Sequence, residues 1–333
     1  MEERKTDVER VAGERICLTG GAGFIGVSLA RTLVETNEVI FLDNLWRDSL
    51  SGSELERHPN LKLIQGDVLD REAVQKAVDG CTMVVHLAAI AGVDTVIKMP
   101  VKTMEVNIIG TANVLAASSR QPRLKRFIDI STSEIFGTSA FKVKDGDVAT
   151  LGTVGEARWT YAVSKLATEH LALNYHRAQD MPCLAVRPFN IYGPGQLGEG
   201  AVHHFVVRAL RREDLIIHND GGQIRAWCYV DDFVRALNLC LLKEEAVGNT
   251  FNIGNPRSTL TIYYLARLVR ELAQAPVGIQ FVPWKYPDVE LRIPNIDRAR
   301  ELLGFEPETD LEEGLLRTIA WYRERLGKGR GDF

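Results

Sequence analysis

The sequence has no marked excess of charge of either sign. Its 40 Lys+Arg stand against 44 Asp+Glu, a net charge of −4 with neutral histidines. That excludes the strongly basic surface of a nucleic-acid-binding protein. Cysteine is scarce: five residues (17, 81, 183, 228 and 240), odd in number, far apart and without a CxxC pair. Neither a disulfide framework nor a zinc site is expected, and a reducing, cytoplasmic setting fits. Long apolar runs are also missing. The stretch 83–93 is far shorter than the roughly 20 residues of a membrane-spanning helix. No apolar segment follows the charged start MEERKTDVERVAGER, so no secretion signal is read there. The sequence shows no internal repeat and no low-complexity segment. With 45% apolar and 25% charged residues it is ordinary globular material, not disordered or collagen-like.

The length, 333 residues, suggests about two domains or one large α/β unit with an appendage. Short apolar runs at 16–19, 39–42, 61–64, 83–87, 127–130 and 184–187 read as strands, apolar on both faces as buried parallel strands are. Helix-length segments lie between them, at 25–35, 71–78, 101–119 and 161–178. The alternation predicts an α/β fold with a doubly wound parallel (Rossmann) sheet. After Pro188 the chain becomes rich in glycine and proline (NIYGPGQLGEG, 190–200) and less regular. The expected division is a dinucleotide-binding domain over 14–189, with a return near 226–253, and a smaller α/β substrate-binding domain over most of 190–326. Residues 1–13 and 327–333 are expected to be tails.

Residues 16–26 read ICLTGGAGFIG, with Gly20, Gly23 and Gly26 between the first strand and the first helix. Glycines there allow a tight turn and let backbone N–H groups and a helix N-terminus approach a pyrophosphate, with Phe24 and Ile25 beside it. Asp43 stands 23 residues after Gly20, at the end of the second strand, where its carboxylate can take a ribose 2′-OH and repel a 2′-phosphate. NAD is therefore expected over NADP. Asn44, Asp67, Val68 and the strand end Leu87, Ala88 and Ala89 complete the expected cofactor contacts. The bland alternative is a tight strand-to-helix turn with solvated carboxylates.

Tyr161 and Lys165 form Y-A-V-S-K, and four residues apart on a helix they share a face. A free phenol ionises near pH ~10, so a neighbouring ammonium and a cationic nicotinamide are expected to lower that value and make Tyr161 a base. Such pairs are also common on plain surface helices. The segment ISTSEIFG (130–137) closes a predicted parallel strand, where α/β sheets hold their ligands. It offers Thr132, Ser133 and Glu134, although S-T-S-E could equally cap a helix.

Taken together, TGGAGFIG, HLAA (86–89), ISTSEIFG, YxxxK and RPFNIYGPG (187–195) resemble the extended short-chain dehydrogenase/reductases that modify nucleotide sugars. The resemblance runs from about residue 14 to 326. It implies Thr132, Tyr161 and Lys165 as a catalytic triad, with Lys165 also on the cofactor. It further implies Asn190 on the sugar nucleotide, Arg225 on the diphosphate and a homodimer built on the helices at 101–119 and 161–178. The implied chemistry is oxidation at sugar C4, then epimerisation, dehydration or loss of CO2. Thr132-Ser133-Glu134, the run Arg158–Tyr161 and D-V-E-L-R-I-P (288–294) resemble UDP-glucuronic acid decarboxylases most. That implies Arg158 at the substrate and Arg292 on its carboxylate, and a UDP-sugar substrate. A 4,6-dehydratase and then a C4 epimerase are the alternatives, and Arg292 could instead be a surface or diphosphate-binding arginine. No metal is expected. The adjacent His203 and His204 read as nucleotide-site or packing residues, and Trp227 and Cys228 as core.

Overall fold

The computed structural model describes residues 10–327. Seven strands form one parallel sheet: β1 (Arg15–Thr19), β2 (Glu38–Asp43), β3 (Leu61–Gln65), β4 (Met83–His86), β5 (Arg126–Ile130), β6 (Cys183–Pro188) and β7 (Thr250–Ile253). Their order is 7-6-5-4-1-2-3, a doubly wound sheet whose direction of winding reverses between β1 and β4. Apolar side chains feed both faces. Ile16, Leu18, Val39 and Phe41 pack into one core, while Cys17, Ile40, Leu42 and Val84 pack into another. This is why the strands read as continuous apolar runs rather than alternating ones. Only β3, at the sheet edge, turns Lys62 and Leu63 to solvent.

Because every strand is parallel, all C-terminal ends lie along one edge of the sheet. The crevice at the reversal point opens there. Smaller sheets close over that edge. Thr259–Thr261, Ile224–Ala226, Leu291–Pro294 and Ser139–Val143 form a four-stranded sheet, and Leu215–His218 pairs with Ile279–Val282. Ser139–Val143 leaves the N-terminal half of the chain to join this second layer.

Two expectations need correction. Residues 11–13 are not a frayed tail: Val11 is buried and its carbonyl accepts hydrogen bonds from Thr36 and Asn37. Residues 1–9 and 328–333 of the expected tails lie outside the described residues. The helix expected over 101–119 is not one regular helix. Pro100–Met104 and Gly110–Ser118 are α-helical, but Glu105–Ile109 between them is a π-turn. Among the described residues no helix is long and apolar enough to cross a membrane.

Candidate active site

The crevice is one cavity of about 1170 Å³ running from the glycine loop to the second layer. Gly20 is left-handed (φ 68°), and a Cβ there would lie 2.7 Å from the backbone nitrogen of Ala88. Only glycine lets β1 and β4 approach so closely. Gly23 is the N-cap of the helix Phe24–Leu33, so the first N–H groups of that helix face the cavity without a side-chain cap. A Cβ at Gly26 would run into Gly21. Asp43 is almost fully buried, and its carboxylate accepts from Ala22 N (3.0 Å) and Leu45 N (2.7 Å). Burial pushes its acidity down, and these donors offset that in part. Asp43 therefore ties the glycine loop to the end of β2 while lining the cavity. Asn44 donates to Asp67 at 3.3 Å across the same wall. An uncapped helix end, a glycine cradle and a buried carboxylate fit a dinucleotide.

At the other end, Thr132 sits at the N-terminus of the short 3-10 turn Ser133–Phe136, its hydroxyl accepting from Glu134 N (3.1 Å). The long helix Thr160–Gln179 brings Tyr161 beside it. Burial raises the phenol's proton affinity and Glu134 raises it further, while the hydrogen bond with Thr132 opposes both. Lys165 is not where the sequence implied. It does not line the cavity; it is buried one turn below Tyr161, with Nζ 3.7 Å from the buried carboxylate of Asp129. The cation that lowers the phenol is Arg292, against Glu134 and Asp129, which raise it. The charge of Lys165 acts on the buried His86, and that of Asp129 on Cys183 and on Tyr161.

The second layer supplies a cation cluster. Arg225 and Arg292 are register partners on the parallel strands Ile224–Ala226 and Leu291–Pro294, so both side chains leave the same face. Arg158 donates to Glu134 at 2.7 Å and stacks over Trp159. Arg292 lies 3.9 Å from Glu134 and donates to Gly137 O (3.1 Å). Arg225 reaches Val289 O and Asp288. Burial pushes Arg292 down to about 9, with Arg225 and Arg158 adding to the effect. Burial also opposes ionisation of Glu134, but Arg158, Arg292 and Arg225 outweigh it and keep the carboxyl below its ordinary range. Three guanidiniums face two carboxylates, so the cluster carries surplus positive charge suited to anionic groups.

Every other expected site residue lines the cavity: Gly20, Gly23, Phe24, Ile25, Gly26, Asp43, Asn44, Asp67, Val68, Leu87, Ala88, Ala89, Thr132, Ser133, Glu134, Arg158, Tyr161, Asn190, Arg225 and Arg292. Asn190 adopts φ 45° and donates to Ala226 O (2.8 Å), sewing the two layers together. His203 bonds the Tyr322 hydroxyl (2.7 Å) and His204 lines the cavity. Trp227 and Cys228 are core.

Sequence reasoning missed the supports. Asn107, in the π-turn, accepts from Ile90 N (2.8 Å) and donates to Ser164 Oγ (2.9 Å), fixing the β4 loop to the helix of Tyr161. His86 bridges Thr19 Oγ1 (2.6 Å) and Thr111 Oγ1 (2.8 Å), and burial holds it neutral, down to about 3. Asp129 had a visible signal: it is the lone acid in the buried strand RFIDI.

The family model described as the NAD dependent epimerase/dehydratase family matches residues 16–254. A UDP-N-acetyl-alpha-D-glucosaminuronate decarboxylase of Bacillus cytotoxicus is 34% identical over 93% of this chain and 98% of its own. UDP-glucuronic acid decarboxylase 6 of Arabidopsis thaliana is 37% identical over 94% and 90% respectively. Among solved structures, UDP-glucuronic acid 4-epimerase from Bacillus cereus, in complex with UDP-glucuronic acid and NAD, superposes with TM-score 0.86 at 27% identity, covering 93% of this chain and 99% of that one. The expectations of a doubly wound α/β fold and an NAD-dependent enzyme are borne out. With glycine loop, crevice and matches in agreement, the chain belongs to the NAD dependent epimerase/dehydratase family.

Proposed function

We propose that the protein decarboxylates a UDP-linked hexuronic acid. The observation that carries this is the Arg158–Glu134–Arg292 cluster beside Tyr161. It sets surplus positive charge near Tyr161, and such charge suits the C6 carboxylate of a uronic acid. The decarboxylase relatives at 34–37% identity support the same reading.

Gly20, Gly23, Asp43, Asn44 and Asp67 would hold NAD, which would supply a hydride acceptor and donor at C4. Tyr161 takes the proton of the 4-OH, with Thr132 hydrogen-bonded to the same oxygen. The oxidised sugar is a β-keto acid; breaking the C5–C6 bond releases CO2 and leaves an enolate on the C4 oxygen, where Tyr161 and Thr132 stabilise it, and a proton taken up from water at C5 restores the C4 ketone. Arg292 and Arg158 orient the carboxylate, and Arg225 with Asn190 holds the nucleotide diphosphate and sugar. Ser133 contacts the substrate beside them.

A 4,6-dehydratase is the second reading. It is favoured by the ionised state of Glu134 next to Tyr161, which suits a base at C5. Incubation with UDP-, dTDP- and GDP-sugars, read by mass spectrometry, decides between them. Loss of the mass of CO2 from UDP-glucuronate supports decarboxylation; loss of the mass of water from a neutral hexose nucleotide replaces it with dehydration.

The finer assignments belong to the same reading. Residues 14–189 with 226–253 serve as the NAD domain and most of 190–326 as the substrate domain. Val101 (71% exposed), Ile109 (47%) and Val163 (40%) lie on the helical segments Pro100–Ser118 and Thr160–Gln179 and suit a homodimer interface. The five cysteines are buried and unpaired, which suits the reducing cytoplasm, and modification of a nucleotide sugar suits a role in carbohydrate biosynthesis.

A further inference from the structure

The segment 193–200, between β6 and the helix Ala201–Leu210, is tied to both sides of the crevice. Near its start, Ser49 Oγ donates to Gly195 O (2.8 Å), while Ser49 N donates to Ala22 O in the glycine loop (2.8 Å). Near its end, Glu199 is held from two directions. Arg47, in the loop after β2, donates to its Oε1 at 3.0 Å. In the segment after β4, Thr95 N (3.2 Å) and the Thr95 hydroxyl donate to the same oxygen, and Asp94 N donates to Oε2 (3.1 Å). In the sheet, β4 and β2 flank β1. A bridge from the β2 side to the β4 side therefore runs across the end of β1, where the glycine loop opens. Arg47, Asp94 and Glu199 all line the cavity. The fit is close: a Cβ at Gly92 would lie 2.4 Å from the Glu199 carboxylate. None of these partners belongs to the arginine cluster or to the Thr132–Tyr161 pair, so the proposed chemistry leaves Glu199 unused.

We propose that Glu199 is a positioning residue, the latch that holds this strap across the crevice, so that the dinucleotide enters and leaves only when the contacts to Arg47, Asp94 and Thr95 break. One carboxylate joins three segments that are distant in the chain. Its bonds from a guanidinium and from successive backbone N–H groups are charge-assisted, roughly twice as strong as neutral ones. Gly198 and Gly200, on either side of Glu199, have φ 90° and 122°, so the latch is carried on residues that can swing without rebuilding the elements they connect. A hydride taken from a sugar and returned to it requires the same reduced cofactor to stay in place, and a closed strap retains it. The latch rests on the dinucleotide site and not on which reaction follows at C4.

The test is cofactor exchange without any sugar nucleotide. Holoenzyme carrying NADH is mixed with a large excess of NAD, and the loss of bound NADH fluorescence gives the exchange rate. Glu199→Gln keeps the side chain's size and discharges the pair with Arg47; exchange should quicken about tenfold or more. The equilibrium affinity for NADH should change far less, because an open gate speeds entry as well as exit. Arg47→Ala, at a partly exposed residue, carries the same expectation if Glu199→Gln fails to fold. The double variant should be no faster than the faster single one, because both substitutions break one latch. Wild-type exchange in Glu199→Gln or Arg47→Ala overturns the proposal. So does an additive double variant, or a gain in exchange matched by an equal loss of affinity, which would make Glu199 an ordinary binding contact. Failure to release CO2 from any uronate nucleotide would instead defeat the decarboxylase reading and leave these rates standing.

Discussion

Burial works against Tyr161. Desolvation at the cavity wall and the carboxylates of Glu134 and Asp129 keep its phenol protonated, against the hydrogen bond with Thr132 and the charge of Arg292. Replacing Tyr161 with Phe keeps the ring and removes the proposed proton acceptor. Turnover should fall ~10²–10⁴-fold, while calorimetric binding of UDP-glucuronate changes little; near-normal turnover would refute the assignment. Arg292 makes a sharper test of substrate. Arg292→Ala should weaken uronate nucleotides about ten- to a hundredfold, the loss of a charge-assisted pair worth roughly 1.5–3 kcal/mol, and leave UDP-glucose nearly unaffected. Arg292→Lys should recover only part, because a point charge lacks the bidentate fork. Since Arg292 also holds Gly137 O, the comparison between the two sugars carries the test, not the absolute loss. An equal loss on both would reduce Arg292 to a diphosphate contact.

At the scale of elements, the π-turn Glu105–Ile109 turns Asn107 inward, where it grips both the N–H and the C=O of Ile90 as well as Ser164. π-turns inside α-helices recur at functional sites because one extra residue re-aims a side chain. Asn107→Ala leaves buried polar groups on two elements without partners, at about 1–3 kcal/mol. It should lower the melting temperature and, by loosening the helix of Tyr161, reduce kcat more than it raises KM. Unchanged kcat with a lowered melting temperature would confine Asn107 to stability. None of this was legible beforehand. The sequence from 101 to 119 reads as one helix, and a π-turn has no compositional mark. The glycine loop, by contrast, was legible residue by residue, because close approach at Gly20 and helix entry at Gly23 each demand a particular residue type.

At the scale of the whole molecule, His86 ties β1 to the helix Gly110–Ser118 through two threonines, and its buried ring resists protonation down to about pH 3. An unfolded histidine titrates near ~6.5. Between these values the unfolded chain binds a proton that the folded chain refuses, so stability falls as pH drops below that point, by up to about 1.4 kcal/mol per pH unit. Denaturant midpoints at pH 7, 6 and 5 should show a shallower decline in His86→Gln than in wild type; identical slopes would contradict the buried neutral ring. By itself the sequence determined the parallel sheet and the glycine cradle, because strand hydrophobicity and turn chemistry are local properties of neighbouring residues; Arg158, Asn190, Arg225 and Arg292 were expected at the site only through the family resemblance. Only tertiary structure decided where the charges go. Arg225 and Arg292, distant in the chain, meet through strand register. Lys165 turns from the cavity to Asp129 because a buried carboxylate on another element offers it a counter-charge. Electrostatic partners are chosen by distance in space and by dielectric, and neither quantity is written along the chain.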